Sequence, residues 1–178
     1  MKKPLLTFIL ICSAIYFSQA KEKVYPAIQG YGAINSIPFE TPKPDPSIQY
    51  RFVTELGYEI EDKKEVSIFL DYAARMYKAH IYAGIPKENM DLSFVIFSGQ
   101  TTAALSNEEY EKRFDIPNPN APLLEELKAA GVRVIVCGQS MMKQNLAPDM
   151  IYPGMEMAVS RFTATSDLMH NGYLIYPL

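Results

Sequence analysis

Two stretches of this chain are almost wholly apolar over the length of a single strand, Leu92 to Phe97, broken only by Ser93, and Val132 to Val136, broken only by Arg133. Runs this short, bounded by polar turn residues, read as strands covered on both faces. Tyr50 to Leu56 predicts a third strand, Met155 to Val159 a fourth and Tyr173 to Tyr176 a last. Between them the period changes. Phe69, Ala73, Met76 and His80 recur at helical spacing, and Asp62-Lys63-Lys64-Glu65 has the form of a capping box. The expectation is a helix from that box to about Ala83, stopped by Gly84 and Pro86. Ser98 to Thr101 turns the second strand into a helix, and Ser106 with Glu109 caps a segment reaching Phe114. "DIPNPN", residues 115 to 120, is a loop from which Asn120 caps the next helix, with Pro122 in its first turn and Gly131 at its end. Ser140 to Asn145 predicts a short helix, and Arg161 to Asn171 another that Gly172 stops. Strands alternating with helices at this spacing predict an α/β domain over residues 50–178. Its sheet is largely parallel, of about five strands, with helices on both faces.

The flanking segments break this pattern in different ways. Residues 21–49 carry Pro26, Pro38, Pro42, Pro44 and Pro46, which forbid regular elements, yet Tyr25, Ile28, Tyr31, Ile34, Ile37 and Phe39 are too apolar for a plain linker. The expectation is an extended arm laid across its own domain or a neighbouring subunit. Residues 1–20 have a basic start at Lys2 and Lys3, an apolar core from Pro4 to Phe17, and small residues at Ser18-Gln19-Ala20. That reads as a Sec signal peptide cleaved near Ala20, implying a periplasmic or secreted protein with no membrane span after removal. The mature chain then holds 15 basic residues (17 less Lys2 and Lys3) against 20 acidic ones. This acidic balance, without a basic stripe, speaks against a nucleic-acid partner.

Removal of the signal takes Cys12 with it and leaves Cys137 alone. An unpaired cysteine in an exported chain is either a reactive thiol or a buried side chain acting as a small apolar group. Its setting bears on the choice. "FVIFSGQTT" (94–102) and "RVIVCGQSM" (133–141) each run from an apolar strand through Ser or Cys to Gly-Gln and a hydroxyl residue. Ser98 and Cys137 thus occupy equivalent places in two strand-end turns, where open parallel sheets bind ligands. Neighbouring strands would bring both to one crevice, with Gln100 and Gln139 able to hydrogen-bond a polar guest. A thiol at such a turn faces free helical N–H groups, which favour its anion. Strand–Gly–helix turns are also common where no site exists. His80, on an apolar helix face, is either a satisfied core histidine or a proton-transfer partner. His170, in a last helical turn, complements the helix dipole. Two histidines and no CxxC or HxxxH spacing give no metal site, and no cofactor motif is present.

The blocks "SGQTTAALSNEEYEKRF", "NPNAPLLEELKAAGVRVIVCGQSM" and "HNGYLIYPL" resemble the DsrE/DsrF-like family, in particular its exported branch with a Tyr- and Pro-containing arm. The resemblance spans about residues 24–178, and "CGQS" is its most specific block. It implies a three-layer α/β/α sandwich assembled as a homotrimer or homohexamer. It also implies a persulfide on the cysteine that Cys137 matches. Gly138, Gln139 and Ser140 match the turn after it, Gly99 and Gln100 the other strand-end turn, Asn118 and Asn120 the "NPN" loop, and His80 a histidine ending the first helix. One position departs from the pattern. Relatives often read His-Gly-Gln where this chain has Ser98-Gly99-Gln100, so a histidine that assists the thiol there is missing. The resemblance therefore implies a sulfur carrier using Cys137, exchanging sulfur with a donor or acceptor protein or a small sulfur compound. Two other readings stay open: a non-enzymatic module binding a small polar ligand, and a structural subunit acting through assembly.

Overall fold

The computed structural model describes residues 22–178, so the expected signal peptide, residues 1–20, lies outside the described residues. Five strands form one sheet: β3 (Tyr50–Leu56), β4 (Met90–Ile96), β5 (Arg133–Cys137), β6 (Glu156–Ala158) and β7 (Leu174–Ile175). Their spatial order is β6-β5-β4-β3-β7, and every neighbouring pair is parallel. Two further strands, β1 (Lys23–Val24) and β2 (Ile34–Asn35), pair antiparallel within the arm. The helices are α1 (Ile68–Tyr82), α2 (Asn107–Phe114), α3 (Ala121–Ala129), α4 (Gly138–Lys143) and α5 (Arg161–His170). The expected α/β class and five-stranded parallel sheet are both present.

The strands are where β-branched and aromatic residues cluster, and their alternation divides the protein into two cores. Phe94, Ile96, Val134 and Val136 face α1 and α3, in a large core with Leu70, Ala73, Leu123, Leu124 and Leu127. Val53, Val95 and Ile135 face the other way, against Ala164, Leu168 and Tyr173 of the α5 side. Fully burying each such side chain contributes roughly 1.5–3 kcal/mol. One side of the sheet therefore carries most of the helices, whereas the other is covered by α5 alone.

Two expected boundaries moved, and one expected capping bond is not made. The capping residue of α1 is Ser67, whose hydroxyl accepts the Leu70 N–H at 3.4 Å, not Asp62. Asp62 instead accepts the Lys64 N–H at 2.8 Å, a local turn that satisfies the backbone without starting a helix. Asn120 stands at the start of α3 but makes no capping bond there, because its amide is used elsewhere. The short helix α4 begins at Gly138, two residues earlier than its pattern implies, so Cys137 itself becomes its N-cap residue.

The arm lies across α1 of its own domain. Ile28 is fully buried in the large core, and the Gly32 N–H donates to Asp71 at 2.6 Å. A Cβ on Gly32 would stand 2.5 Å from the Arg75 backbone nitrogen, so only glycine permits this approach. Lys78 is fully buried beneath the arm, donating to the Tyr31 carbonyl with its ammonium 4.6 Å from the Tyr25 ring centre. The arm thus explains why α1 is buried around more of its circumference than the Phe69–His80 stripe implies.

Candidate functional site

The carboxyl ends of β3, β4 and β5 lie side by side, and strand parity decides what they present. Ile135 faces α5, so Cys137, two residues on, faces α5 as well. Val95 and Val53 fix the same parity in β4 and β3, which directs Phe97 and Glu55 to that side too. Continuing the register of Ile96 beside Val136 by one residue sets Cys137 beside Phe97, not beside Ser98. The two similar turns are therefore offset by one position, and Ser98 comes opposite Gly138. This corrects the equivalence drawn from the sequence. A one-residue offset between strands changes which face a side chain meets.

Cys137 is 3% exposed and forms the floor of a crevice of about 630 Å³. Ser98, Gly99, Gln139, Ser140, Lys143 and Arg161 line it, with Phe97 and Phe162 as its apolar walls. The sulfur lies at the starts of two helices. The Arg161 N–H, at the beginning of α5, donates to Sγ at 3.3 Å. Burial pushes the thiol pKa up. Polar hydrogens turned toward the sulfur, those of the Ser140 hydroxyl and of the Ser140, Arg161 and Gln139 N–H groups, outweigh it, so the thiol ionises below its ordinary 9.0.

The turn at Ser98 supports this arrangement through its backbone. Ser98 adopts φ of 50°, its N–H donates to Ser140 Oγ at 2.9 Å, and its carbonyl accepts from Gln144 Nε2 at 2.9 Å. With an oxygen lone pair committed to Ser98, the Ser140 hydroxyl keeps its proton for the sulfur. Gly138 is packed too tightly for a side chain: a Cβ there would stand 2.8 Å from the Ala158 carbonyl. This contact brings the end of β6 over the thiol turn and delivers α5 to Sγ. α5 is itself fixed at its start by reciprocal bonds between Ser160 and Thr163, each 3.2 Å.

Four of the sequence-derived candidates are elsewhere. Gln100, Asn118 and Asn120 form a buried polar chain behind the crevice. Gln100 Nε2 donates to Ser67 Oγ at 2.6 Å, and the Ser67 N–H donates to Asn120 Oδ1 at 2.7 Å. Asn120 Nδ2 donates to Asn118 Oδ1 at 3.0 Å, and Asn118 donates to the Ala103 and Leu105 carbonyls at 3.0 and 2.6 Å. These amides tie the "NPN" loop to the start of α1 and the segment after β4. His80 sits beside Tyr50, where β3 begins, at the end of the sheet away from Cys137. Its ring packs among Tyr50, Phe52 and Tyr176 with centroid distances of 5.9, 5.4 and 6.3 Å, and Nδ1 is 2.8 Å from the Met76 carbonyl. Neither histidine lines the crevice.

Arg161, Lys143 and Glu55 escaped the sequence reading as site residues. The Arg161 guanidinium lies 4.3 Å from the centres of both the Phe97 and Phe162 rings and donates to Glu55 Oε2 at 2.6 Å, while Thr165 holds Glu55 Oε1 at 2.7 Å. Strand parity would have placed Glu55 on the α5 side. Nothing local marks Arg161 beyond its place after a capping serine. Among the described residues no cluster of three metal-binding side chains occurs, and no helix is long and apolar enough to cross a membrane.

A model of the DsrE/DsrF-like family matches residues 58–177. Among solved structures, the chain resembles the ychN protein from E. coli, at 17% identity over 72% of this chain and 99% of that one, with a TM-score of 0.53. It also resembles a protein of unknown function, MTH1491, from Methanobacterium thermoautotrophicum, at 16% identity over 72% and 99% of the two chains, with a TM-score of 0.52. No curated protein sequence matches. Both structures share the α/β fold at an identity that speaks to fold alone.

Proposed function

We propose, for a chain that belongs to the DsrE/DsrF-like family, a family associated with sulfur relay, that Cys137 carries sulfur as a persulfide. One observation carries the reading: the one thiol among the described residues, on the floor of an open crevice, whose anion is held by the Arg161 N–H at 3.3 Å and by the Ser140 turn. Thiolate attack on a sulfane sulfur forms the Cys137 S–S bond and breaks the donor's S–S bond, and the donor's other fragment leaves with the bonding electrons. The persulfide then passes its outer sulfur to an acceptor thiolate by the same chemistry. Burial on every side but the crevice limits attack to small donors or a slender protein segment.

The reading places the protein in the periplasm or outside the cell, after signal removal near Ala20, as a homotrimer or homohexamer. The surface supports assembly. A single ten-residue helix covers the α5 side of the sheet, and Phe162, Met169 and Ile175 are left 65%, 48% and 53% exposed there. Exposed apolar patches of this kind mark association surfaces.

Mass spectrometry of the Cys137 peptide tests the carrier reading. Protein purified from its native compartment, or treated with a sulfane-sulfur donor, should hold one added sulfur on Cys137, lost with a thiol reductant. No added sulfur, together with a thiol that titrates at 9.0 like a free one, would overturn it.

A further inference from the structure

The charges around the crevice are unevenly committed. Arg161 is paired with Glu55 at 2.6 Å. Glu59, the one carboxylate in the lining, is paired with Lys63 at 2.8 Å. Lys143 also lines the crevice, is exposed, and has no salt-bridge partner among the described residues. It follows Gln139 by four residues on α4, and so shares a helix face with it; both side chains are exposed and border the crevice. The crevice therefore has one uncompensated cation in the same lining as the buried thiol on its floor.

We infer that Lys143 is the specificity-determining residue of the crevice, and that it selects small anionic sulfur donors over neutral ones. The inference rests on the carrier reading for the word "donor", though not for the charge preference itself. A thiolate repels an anion, and the repulsion is strongest where water is partly excluded. An anionic donor reaches Sγ only if a cation meets its charge, and Lys143 is the group free to do so. Thiosulfate is the model of the class. The Cys137 thiolate attacks the outer sulfur, the new S–S bond forms, and the donor's S–S bond breaks. Sulfite departs with the electron pair: one thiolate and one thiosulfate dianion become one persulfide anion and one sulfite dianion. No oxidant or reductant is consumed. Lys143 holds the oxyanion end before the step and steadies sulfite as it leaves. It makes no bond to sulfur.

The experiment compares two alkylating agents of similar size, iodoacetate and iodoacetamide, on wild-type, Lys143→Gln and Lys143→Arg proteins, alongside thiosulfate loading of Cys137 followed by mass. The iodoacetate-to-iodoacetamide rate ratio should fall about 2- to 5-fold in Lys143→Gln, the worth of one exposed charge pair, and recover in Lys143→Arg. Added salt should shrink the wild-type ratio toward that of Lys143→Gln, since the interaction is screened. The thiosulfate concentration needed for half-loading should rise in the same variant. An unchanged ratio and unchanged half-loading in Lys143→Gln overturn the inference while leaving the carrier reading intact. A ratio that falls as expected, with no sulfur acquired from any donor, supports the charge selectivity and defeats the carrier reading instead. A ratio that falls equally in Lys143→Arg counts against it, because the position and not the charge would then matter.

Discussion

The turns after β4 and β5 are spelled almost alike, Ser98-Gly99-Gln100 and Cys137-Gly138-Gln139, and the fold uses them for opposite purposes. Gln100 is 0% exposed and stitches the β4 turn to Ser67, whereas Gln139 is exposed at the crevice. Ser98 contributes its backbone to the site, and Cys137 contributes its side chain. Gly99 is the second residue of a 3-10 segment (Ser98–Ala104) and packs on Glu59, while Gly138 opens α4 and leaves the helix start facing sulfur. The cause is the offset of one residue between the strands. Because the chain stays extended through Phe97, one residue beyond β4, the aromatic ring takes the place beside Cys137, and Gln100 is carried down into the interior.

The largest test of this contrast is stability. Asn120→Ala would strand the Ser67 N–H in the interior and take one of two bonds from Asn118 Oδ1, which keeps the Asn120 backbone N–H at 2.9 Å. That should cost about 2–3 kcal/mol in urea unfolding, the upper part of the roughly 1–3 kcal/mol for one buried group left unpaired, because the second bond to Asn118 is lost with it. Gln100→Ala should cost somewhat less, because its own Oε1 already has no partner among the described residues. Gln139→Ala should stay within about 0.5 kcal/mol of wild type, as exposed substitutions do. Equal losses at Gln100 and Gln139 would erase the distinction between a stitch and a lining.

Next in size is Gly138→Ala. Its methyl would meet the Ala158 carbonyl at 2.8 Å and the Val159 carbonyl at 3.3 Å, both backbone atoms with little room to yield. Overpacking of this kind costs about 1–3 kcal/mol. The displaced backbone leads directly to Arg161, so the Arg161 N–H should draw away from sulfur and alkylation of Cys137 should slow at neutral pH. Unchanged alkylation alongside reduced stability would mean that the α5 start does little for the thiolate.

The third test isolates the Ser140 hydroxyl. Ser140→Ala should move the midpoint of the alkylation–pH curve upward by about one pH unit, the worth of one hydrogen bond to a charged group. A linked effect appears in stability. The folded pKa of Cys137 lies below 9.0, so between the two values the unfolded chain holds the extra proton. The stabilisation from the anion is complete above about pH 9 and is lost as pH falls through the folded pKa. Cys137→Ser should therefore cost more stability at pH 9 than at pH 5. A loss independent of pH would place the thiol among ordinary buried cysteines.

These contrasts also mark how far the sequence could be read. The α/β class, the five strands and the position of Cys137 at a strand end were legible because short, mostly apolar runs and Gly stops are local signals. The start of α1 was not, because Asp62 and Ser67 are both good capping residues and only the tertiary bond from Ser67 to Asn120 and Gln100 selects between them. The fate of the four candidates away from the thiol was hidden for a similar reason. An amide at a strand-end turn looks the same whether it faces solvent or the interior, and His80 has the helical spacing of a core residue at either end of the sheet. Strand order and register, which decide those matters, arise from pairings distant in sequence. Arg161 illustrates the cost most plainly: it is 24 residues from Cys137, yet its N–H touches the sulfur.

The smallest expected effect lies at Ser98, and it sharpens the comparison most. Ser98 holds φ of 50°, a conformation that costs a side-chain-bearing residue roughly 1 kcal/mol and glycine almost nothing. Ser98→Gly relieves that strain but adds freedom to the unfolded chain, so the net change should be within about 0.5–1 kcal/mol of zero. The site bonds at Ser98 come from its N–H to Ser140 and its carbonyl to Gln144, and glycine keeps both. Alkylation of Cys137 should therefore remain within about twofold of wild type at every pH, since less than 0.5 kcal/mol is at stake. A larger fall in rate would mean that the Ser98 hydroxyl itself acts on the thiol. The two turns would then be chemical partners after all, and not a scaffold and a site.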